Sequence, residues 1–299
     1  ADPHQLITRT VVLRTERSAG TLADLEAALR QQLQSWDGIA GIAVHDLDSG
    51  EWMGINDGTV FSGASVMKVP IMVYAYAKLG QLNDQQRAWV EATILYSNNS
   101  TANYLLAAGA GGRGLESAAK GALETTAMLH ALGLEHTSIL VPYESTDWLA
   151  QHGMLPERRP EREGAEPYTD AGGFIRATPH DMAQFFAMLA QCSQGTGPLL
   201  DYWQGALTPE ACAEMIDWLV RPHDAQRMMA GIPDEVKVGH KGGWLLDMQA
   251  DVGIVYSPNR TYVAAIYLWR DGLVSDGNAS PSPYLGALSH TIYSFYNPE

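Results

Sequence analysis

Three short motifs in this chain contain the residue types that serine acyl transfer requires. In order, they are Ser65-Val66-Met67-Lys68, Ser97-Asn98-Asn99 and Lys241-Gly242-Gly243. A serine hydroxyl is a weak nucleophile until a neighbouring base accepts its proton. Each motif alone carries little information, because short patterns match by chance. Their order along one chain favours a serine nucleophile supported by two lysines and a second serine.

The spacing of Ser65 and Lys68 predicts that both side chains lie on one face of a helix. A solvated lysine, with a pKa of about 10.4, stays protonated at neutral pH and cannot serve as a base. Burial and a neighbouring cation both lower a lysine pKa. Residues 65–78 are apolar on nearly every side, which predicts a buried helix. Lys241 could supply the cation, and the positive end of the helix dipole would lie at Ser65.

The second and third motifs offer groups for proton transfer and for substrate binding. Ser97 could relay a proton between a lysine and a leaving nitrogen, and Asn99 could offer its amide to a substrate carbonyl. Lys241 lies in a predicted strand whose edge can bind a substrate backbone. Ordinary alternatives exist, since residues 97–100 could simply cap the next helix and a lone strand lysine is usually solvated.

Three further matches to short motifs fail in their context. Ser117-Ala118-Ala119-Lys120 repeats the serine–lysine spacing but opens no strongly apolar helix. Ser257-Pro258-Asn259 lies between two strand-like runs, which indicates a turn. Residues 109–114 match the glycine pattern of dinucleotide-binding folds, but they follow an Ala-rich helical run instead of a strand. We interpret them as a loop.

Composition excludes several classes of partner. The 299 residues are 46% hydrophobic, enough for a sizeable core, and the net charge is −15. This acidity argues against nucleic acid and against anionic lipid, which both select basic patches. There is no apolar run of about 18 residues, so no membrane span is expected. The nine histidines form no zinc motif, and neither a metal nor a cofactor is expected.

The two cysteines depend on the compartment for their interpretation. Cys192 and Cys212 would be free thiols in the cytosol and a disulfide in an exported protein. No charged and apolar leader stands at Ala1. We therefore expect that a signal peptide either has been removed or never existed.

Hydrophobic periodicity predicts an α+β fold. A helix at residues 21–36 with Thr21 as its N-cap is followed by strands at 39–47 and 51–55. Strands also close the chain, so one antiparallel sheet must combine both chain ends around an inserted helical part. We expect an N-terminal extension at 1–20 and a single domain at 21–299, in which 21–60 and 230–299 form the α/β part and 61–229 the helical part. The remaining predictions are helices at 85–95, 102–108, 117–132, 179–192, 209–219 and 284–296, a long loop at 152–173, and strands at 237–244, 250–256 and 262–269.

Four segments resemble class A β-lactamases over nearly the whole chain. Phe61 to Lys68 is similar to the nucleophile segment, Tyr96 to Asn103 to the S-D-N segment, and His240 to Trp244 to the K-T-G strand. Ala177-Thr178-Pro179 resembles the end of the Ω loop. The resemblance implies the serine β-lactamase/transpeptidase-like fold. It also implies an exported bacterial protein, periplasmic or extracellular, that acts on β-lactams or on peptidoglycan peptides; we expect a monomer.

The resemblance also implies roles for individual residues. Ser65 would be the nucleophile, with Lys68, Ser97 and Lys241 as its proton and charge partners. The backbone N–H groups of Ser65 and Trp244 would form the oxyanion hole. Gly243 belongs to the same substrate-binding strand, and Asn99 would hold the substrate amide.

Departures from the family pattern leave alternatives open. Asn98 replaces an aspartate, and Gly242 replaces a hydroxyl residue that binds the substrate carboxylate. We therefore expect weak binding of small penicillins. If another group holds the substrate carboxylate, Arg260 or Arg270 is the next cation to consider.

The short link between Lys68 and Ser97 predicts a cleft open on one side. The deacylating glutamate of the Ω loop has no clear counterpart: Glu144 lies nearest to the expected place, and Glu161, Glu163 and Glu166 are rivals.

The sequence thus predicts a serine hydrolase that opens the β-lactam ring through an acyl-enzyme on Ser65. One alternative is a penicillin-binding D,D-peptidase that deacylates slowly. A second alternative is a binding or sensor domain that has kept the fold without catalysis.

Overall fold

The computed structural model describes residues 20–221, 224–273 and 283–298, so nearly all of the expected N-terminal extension lies outside it. The strands are β1 (Ile39–Asp46), β2 (Trp52–Ile55), β3 (Phe61–Ser62), β4 (Ser138–Ile139), β5 (Ile175–Ala177), β6 (Lys237–Trp244), β7 (Met248–Tyr256) and β8 (Thr261–Trp269). The helices are α1 (Leu22–Leu33), α2 (Lys68–Leu79), α3 (Asp84–Leu95), α4 (Asn99–Gly109), α5 (Gly114–Ala131), α6 (Thr146–Gln151), α7 (Pro179–Ser193), α8 (Pro198–Trp203), α9 (Pro209–Val220) and α10 (Pro283–Tyr296), with 3-10 turns at Ala64–Met67 and Arg227–Gly231.

The main sheet joins both ends of the chain, as the sequence predicts. Its strand order is β2–β1–β8–β7–β6, and every neighbouring pair is antiparallel. At its centre Ile42 of β1 pairs with Ile266 of β8. A small second sheet, β3–β5–β4, lies in the helical part. β6 is an edge strand, so its free side is open to a ligand.

Alternating side chains divide the core between the two faces of the sheet. Ile42 and Val44 pack with Leu29 of α1 and Leu288 of α10, whereas Ala43 between them packs with the helical part. This is the two-residue period of a strand buried on both faces. Thr21 caps α1 as predicted, in a reciprocal box with Asp24.

The structure corrects the expected helix at residues 65–78. Ala64–Met67 is a 3-10 turn, closed by a bond from the Lys68 N–H to the Ser65 carbonyl, and α2 begins only at Lys68. Pro70 explains the difference, because it has no N–H to donate to the carbonyl of Val66. The predicted burial of α2 is correct, with Lys68 to Ala77 all buried.

Other predicted elements are confirmed with shifted ends. α4 and α5 each begin three residues earlier than expected, at Asn99 and Gly114. Sequence periodicity missed five short elements, namely β3, β4, β5, α6 and α8, because segments of two to six residues are too short to show a period. Within the described ranges, none of the helices is long and apolar enough to cross a membrane.

A disulfide joins α7 to α9. Cys192 and Cys212 are bonded, with their Cα atoms 5.8 Å apart, which confirms the pairing expected for an exported protein. A loop of this size can contribute about 3 kcal/mol by restricting the unfolded chain.

Candidate active site

Ser65 lies half-buried in the 3-10 turn that leads into α2. The Nζ atom of Lys68, the first residue of α2, is 2.8 Å from its Oγ atom. The preceding residue, Ala64, has a left-handed backbone with φ of 39°. Such conformations are costly outside glycine and concentrate at functional sites. The turn therefore presents the serine hydroxyl directly to a lysine amine.

Lys68 is completely buried and surrounded by oxygen atoms. Besides Ser65, its Nζ contacts the carbonyl of Ser97 at 2.7 Å, the hydroxyl of Ser97 at 3.3 Å and Oδ1 of Asn99 at 2.6 Å. Burial lowers the pKa of Lys68 to about 7, the charge of Lys241 acts in the same direction, and Glu144 opposes it. A substantial fraction of this amine is therefore neutral at physiological pH.

The Ser97-Asn98-Asn99 segment both caps a helix and faces Lys68. Asn98 caps α4 by accepting from the N–H of Thr101 at 2.9 Å. Ser97 has a left-handed backbone with φ of 54°, which turns the chain between α3 and α4. Asn98 is exposed while Ser97 and Asn99 reach the lysine. Asn98, which replaces the aspartate of the S-D-N motif, therefore caps the helix as the ordinary alternative proposed. Its neighbours Ser97 and Asn99 contact Lys68 all the same.

Lys241 approaches Ser97 from the opposite side. Its Nζ, buried in β6, is 3.1 Å from the Ser97 hydroxyl. Burial lowers the pKa of Lys241 to about 8, while the carboxylate of Asp251 raises it. The Ser97 hydroxyl therefore lies between two amines of unusually low basicity, an arrangement suited to passing a proton.

Gly243 brings β6 against the nucleophile turn. A Cβ atom built on Gly243 would lie 3.0 Å from the backbone nitrogen of Ser65 and 3.1 Å from that of Val66. No larger residue fits there without moving the turn. Trp244 follows with 48% of its side chain exposed. The edge strand and the nucleophile turn thus lie directly against each other, which is the approach that the expected oxyanion hole requires.

Glu144 is joined to Lys68 through Asn99. The amide nitrogen of Asn99 donates to Oε1 of Glu144 at 2.7 Å, while its oxygen accepts from Lys68. Glu144 is exposed and has a left-handed backbone with φ of 54°. Among the rivals, Glu163 instead pairs with Arg159 and with the buried Arg176, where it holds the long loop.

The other two rivals, Glu161 and Glu166, are exposed in that loop. Of the four carboxylates considered from the sequence, Glu144 is the one that the structure connects to the serine–lysine pair.

Two positioning residues were not recognised from the sequence. Asn103 donates to the carbonyl of Tyr143 and accepts from its N–H, both at 2.9 Å. The buried hydroxyl of Tyr143 donates to the carbonyl of Ala64 at 2.7 Å, and its ring centre is 4.5 Å from Nζ of Lys68. Together they fix the segment that carries Glu144. Asn103 is the one of the two that the sequence could have indicated, because it belongs to the segment Tyr96 to Asn103 that resembles the S-D-N segment of class A β-lactamases.

A buried guanidinium was also missed. Arg227 is 8% exposed and ion-paired with Asp224, and its Nη1 would lie 3.3 Å from a Cβ atom on Gly242. Its Nε has no hydrogen-bond partner among the described residues. The cations suggested by the sequence lie elsewhere: Nε of Arg260 is 3.5 Å from Asp46, and the Arg270 guanidinium lies over the ring of Trp36.

Comparisons with known proteins identify the family. A model of the β-lactamase enzyme family matches residues 24–92 and 85–296, so the chain belongs to this family. A comparison with curated protein sequences found no significant match.

Solved structures show the same fold. PBP-A is 19% identical with a TM-score of 0.67, covering 92% of this chain and 97% of that one. A mutant of PBP-A, solved as an acyl-enzyme complex with penicillin G, is 20% identical with a TM-score of 0.68, covering 93% of this chain and 98% of that one. A class A β-lactamase described as the last common ancestor of Gram-negative bacteria is 21% identical with a TM-score of 0.63, covering 91% of this chain and 99% of that one. The chain therefore has the serine β-lactamase/transpeptidase-like fold.

Proposed function

We propose that this protein is a serine hydrolase that opens the β-lactam ring through an acyl-enzyme on Ser65. The observation that carries the proposal is the 2.8 Å contact between the Ser65 hydroxyl and Lys68, a buried lysine with a pKa of about 7. A neutral amine at this distance can accept the serine proton, which an ordinary solvated lysine cannot do at neutral pH.

In acylation, Lys68 takes the proton from Ser65 as Oγ attacks the lactam carbonyl carbon. The carbonyl oxygen becomes an oxyanion, stabilised by the backbone N–H groups of Ser65 and Trp244; one such donor is typically worth about 2.7–4 kcal/mol. The tetrahedral intermediate then collapses as the carbon–nitrogen bond breaks. Ser97 gives its proton to the leaving nitrogen and is reprotonated by an adjacent lysine, which its contacts with Lys68 and Lys241 support.

Lys241 and Arg227 would hold the carboxylate of the substrate. A charge-assisted hydrogen bond contributes about 1.5–3 kcal/mol, and the unsatisfied Nε of Arg227 is a donor of this kind. The guanidinium lies where the hydroxyl residue of the family motif would project from position 242. This arrangement offers a replacement for the hydroxyl group that Gly242 lacks.

In deacylation, Glu144 would take a proton from the water that attacks the ester carbonyl. Its bond to Asn99 supports this role, because the same amide contacts Lys68. Ser65 then leaves as the ester bond breaks and takes a proton from Lys68. Lys68 in turn recovers a proton from the protonated Glu144, which restores the carboxylate.

The slow-deacylating D,D-peptidase is the second candidate. One observation favours it: similar structures include PBP-A and a mutant of PBP-A as an acyl-enzyme complex with penicillin G. In both cases we propose an exported protein, periplasmic or extracellular, since the Cys192–Cys212 disulfide is typical of oxidising compartments. We also propose that the protein is a monomer.

Incubation with a chromogenic cephalosporin, followed by intact-mass measurement, separates the candidates. Rapid colour change with free enzyme afterwards supports the β-lactamase. A stable adduct of one ligand mass supports the D,D-peptidase. Absence of both colour and adduct, in protein shown to be folded, contradicts both and leaves a binding or sensor domain. Ser65→Ala is the matched control and should abolish either response.

A further inference from the structure

A cavity of about 660 Å³ lies between the first turns of α3, the middle of α4 and the loop that enters α5. None of the catalytic candidates lines it. Its walls combine aromatic rings with side-chain amides and one arginine, the mixture that suits a polar ligand with an apolar face.

The apolar wall is formed by Trp89 of α3 and Tyr104 of α4. Their ring centres are 5.4 Å apart, and half of the Tyr104 side chain is exposed. Trp89 is only partly buried, so both rings of this pair present surface to the cavity.

The polar wall consists of hydrogen-bond donors. Asn83 and Gln86 form the capping box of α3, which uses the oxygen atom of each side chain. Both NH₂ groups remain as donors. Arg113 is exposed, and within the described part of the chain its guanidinium makes no hydrogen bond or ion pair. The lining includes no carboxylate, although the chain carries a net charge of −15.

The glycine-rich segment that follows α4 shapes this cavity. Gly111 and Gly114 have positive φ angles of 80° and 77°, a backbone conformation that other residues rarely adopt. Glycines are therefore required to turn the chain tightly onto α5. The turn places Arg113 in the lining of the same cavity as the aromatic pair.

We infer that this cavity binds a saccharide with acetamido groups. A sugar ring presents C–H groups on its face, which stack on aromatic rings, and oxygen acceptors at its edge. Acetamido carbonyls are strong acceptors that match the amide and guanidinium donors. A purely apolar ligand would leave those donors unsatisfied, and a basic ligand would be repelled by Arg113. The inference stands independently of the chemistry proposed for Ser65.

Isothermal titration calorimetry with the tetramer of N-acetylglucosamine tests the inference. Cellotetraose, a tetramer of the same length that lacks acetamido groups, is the control ligand. We expect the acetamido tetramer to bind more tightly than cellotetraose. Tyr104→Ala should weaken its binding about tenfold, as expected for losing one stacked ring. Tyr202→Ala removes a comparably exposed tyrosine elsewhere and should change nothing. A second variant, Arg113→Ala, should also weaken binding.

Absence of binding, equal binding of both tetramers, or binding unaffected by Tyr104→Ala in folded protein would overturn the inference. Labelling of Ser65 with a fluorescent penicillin is measured on the same variants. It should be unchanged, so that a failure of saccharide binding remains distinct from a failure of the proposed acylation.

Discussion

The amine of Lys68 lies 2.8 Å from the hydroxyl of Ser65, yet the two residues belong to different kinds of helix. Ser65 lies in a 3-10 turn, and Lys68 begins the buried helix α2. The turn fixes the direction of the hydroxyl, while the buried helix lowers the basicity of the amine.

The rate of acylation should rise with pH through about 7, the pKa of Lys68. The sign follows because burial lowers this pKa from about 10.4, so the neutral base predominates above about 7 instead of above 10. The rate of labelling by a fluorescent penicillin, measured from pH 5.5 to 8.5, checks this prediction. Lys68→Arg keeps the charge but cannot deprotonate, and should slow labelling about 10²–10⁴-fold. A wild-type rate independent of pH would argue against Lys68 as the base.

Gly243→Ala should slow acylation about 10²–10³-fold, the cost of disturbing one oxyanion donor. The added methyl group would press on the backbone nitrogen of Ser65 at 3.0 Å. Gly239→Ala is the matched control in the same strand, because its Cβ would meet only ordinary contacts at 3.4 Å or more. Single-turnover labelling of both variants, with melting curves to verify folding, makes the comparison. Equal rates in the two variants would contradict the role of this close approach.

Glu144→Gln should cause acyl-enzyme to accumulate while acylation continues. The amide keeps the size of the side chain but cannot accept a proton from water, and a general base typically contributes about 10²–10⁴-fold. Time-resolved intact mass after mixing with a cephalosporin follows the adduct. Glu161→Gln, an exposed carboxylate in the long loop, serves as the control and should behave as wild type. If turnover persists unchanged in Glu144→Gln, another group activates the water.

Arg227→Ala should raise the KM for benzylpenicillin, because it removes the guanidinium beside Gly242. When Gly242→Thr is added to Arg227→Ala, the threonine side chain has room and can bind the substrate carboxylate. The KM should then fall about tenfold, which corresponds to one hydrogen bond of about 1.4 kcal/mol. In the wild-type background Gly242→Thr should gain less, since its Cβ would lie 3.3 Å from the guanidinium. Steady-state kinetics of the four proteins forms a complete double-mutant cycle. Additive effects would show that the two positions act separately.

The sequence predicts the sheet, the buried helix and the serine–lysine pairs because these depend on local patterns. The strand-like run of β1 and the apolar run of α2 are continuous in the sequence, and both elements are buried along nearly their whole length. The order of the three motifs, through the family that they resemble, predicts that Ser65, Ser97 and Lys241 lie together, and their contacts with Lys68 and with each other agree.

The remaining features depend on tertiary contacts that leave no local pattern. Arg227 reaches Gly242 through a 3-10 turn with a left-handed backbone. Tyr143 contacts Ala64 across 79 positions of sequence. The 3-10 geometry at Ser65 could have been anticipated from the missing N–H of Pro70.

Mapping the acylated residue tests the central claim most directly. Protein is labelled with a fluorescent penicillin, digested and analysed by peptide mass. The account predicts one adduct, on Ser65, that disappears in Ser65→Ala while the variant retains its melting temperature. A label on Ser117, which shares the serine–lysine spacing, or a label that survives Ser65→Ala, would contradict it.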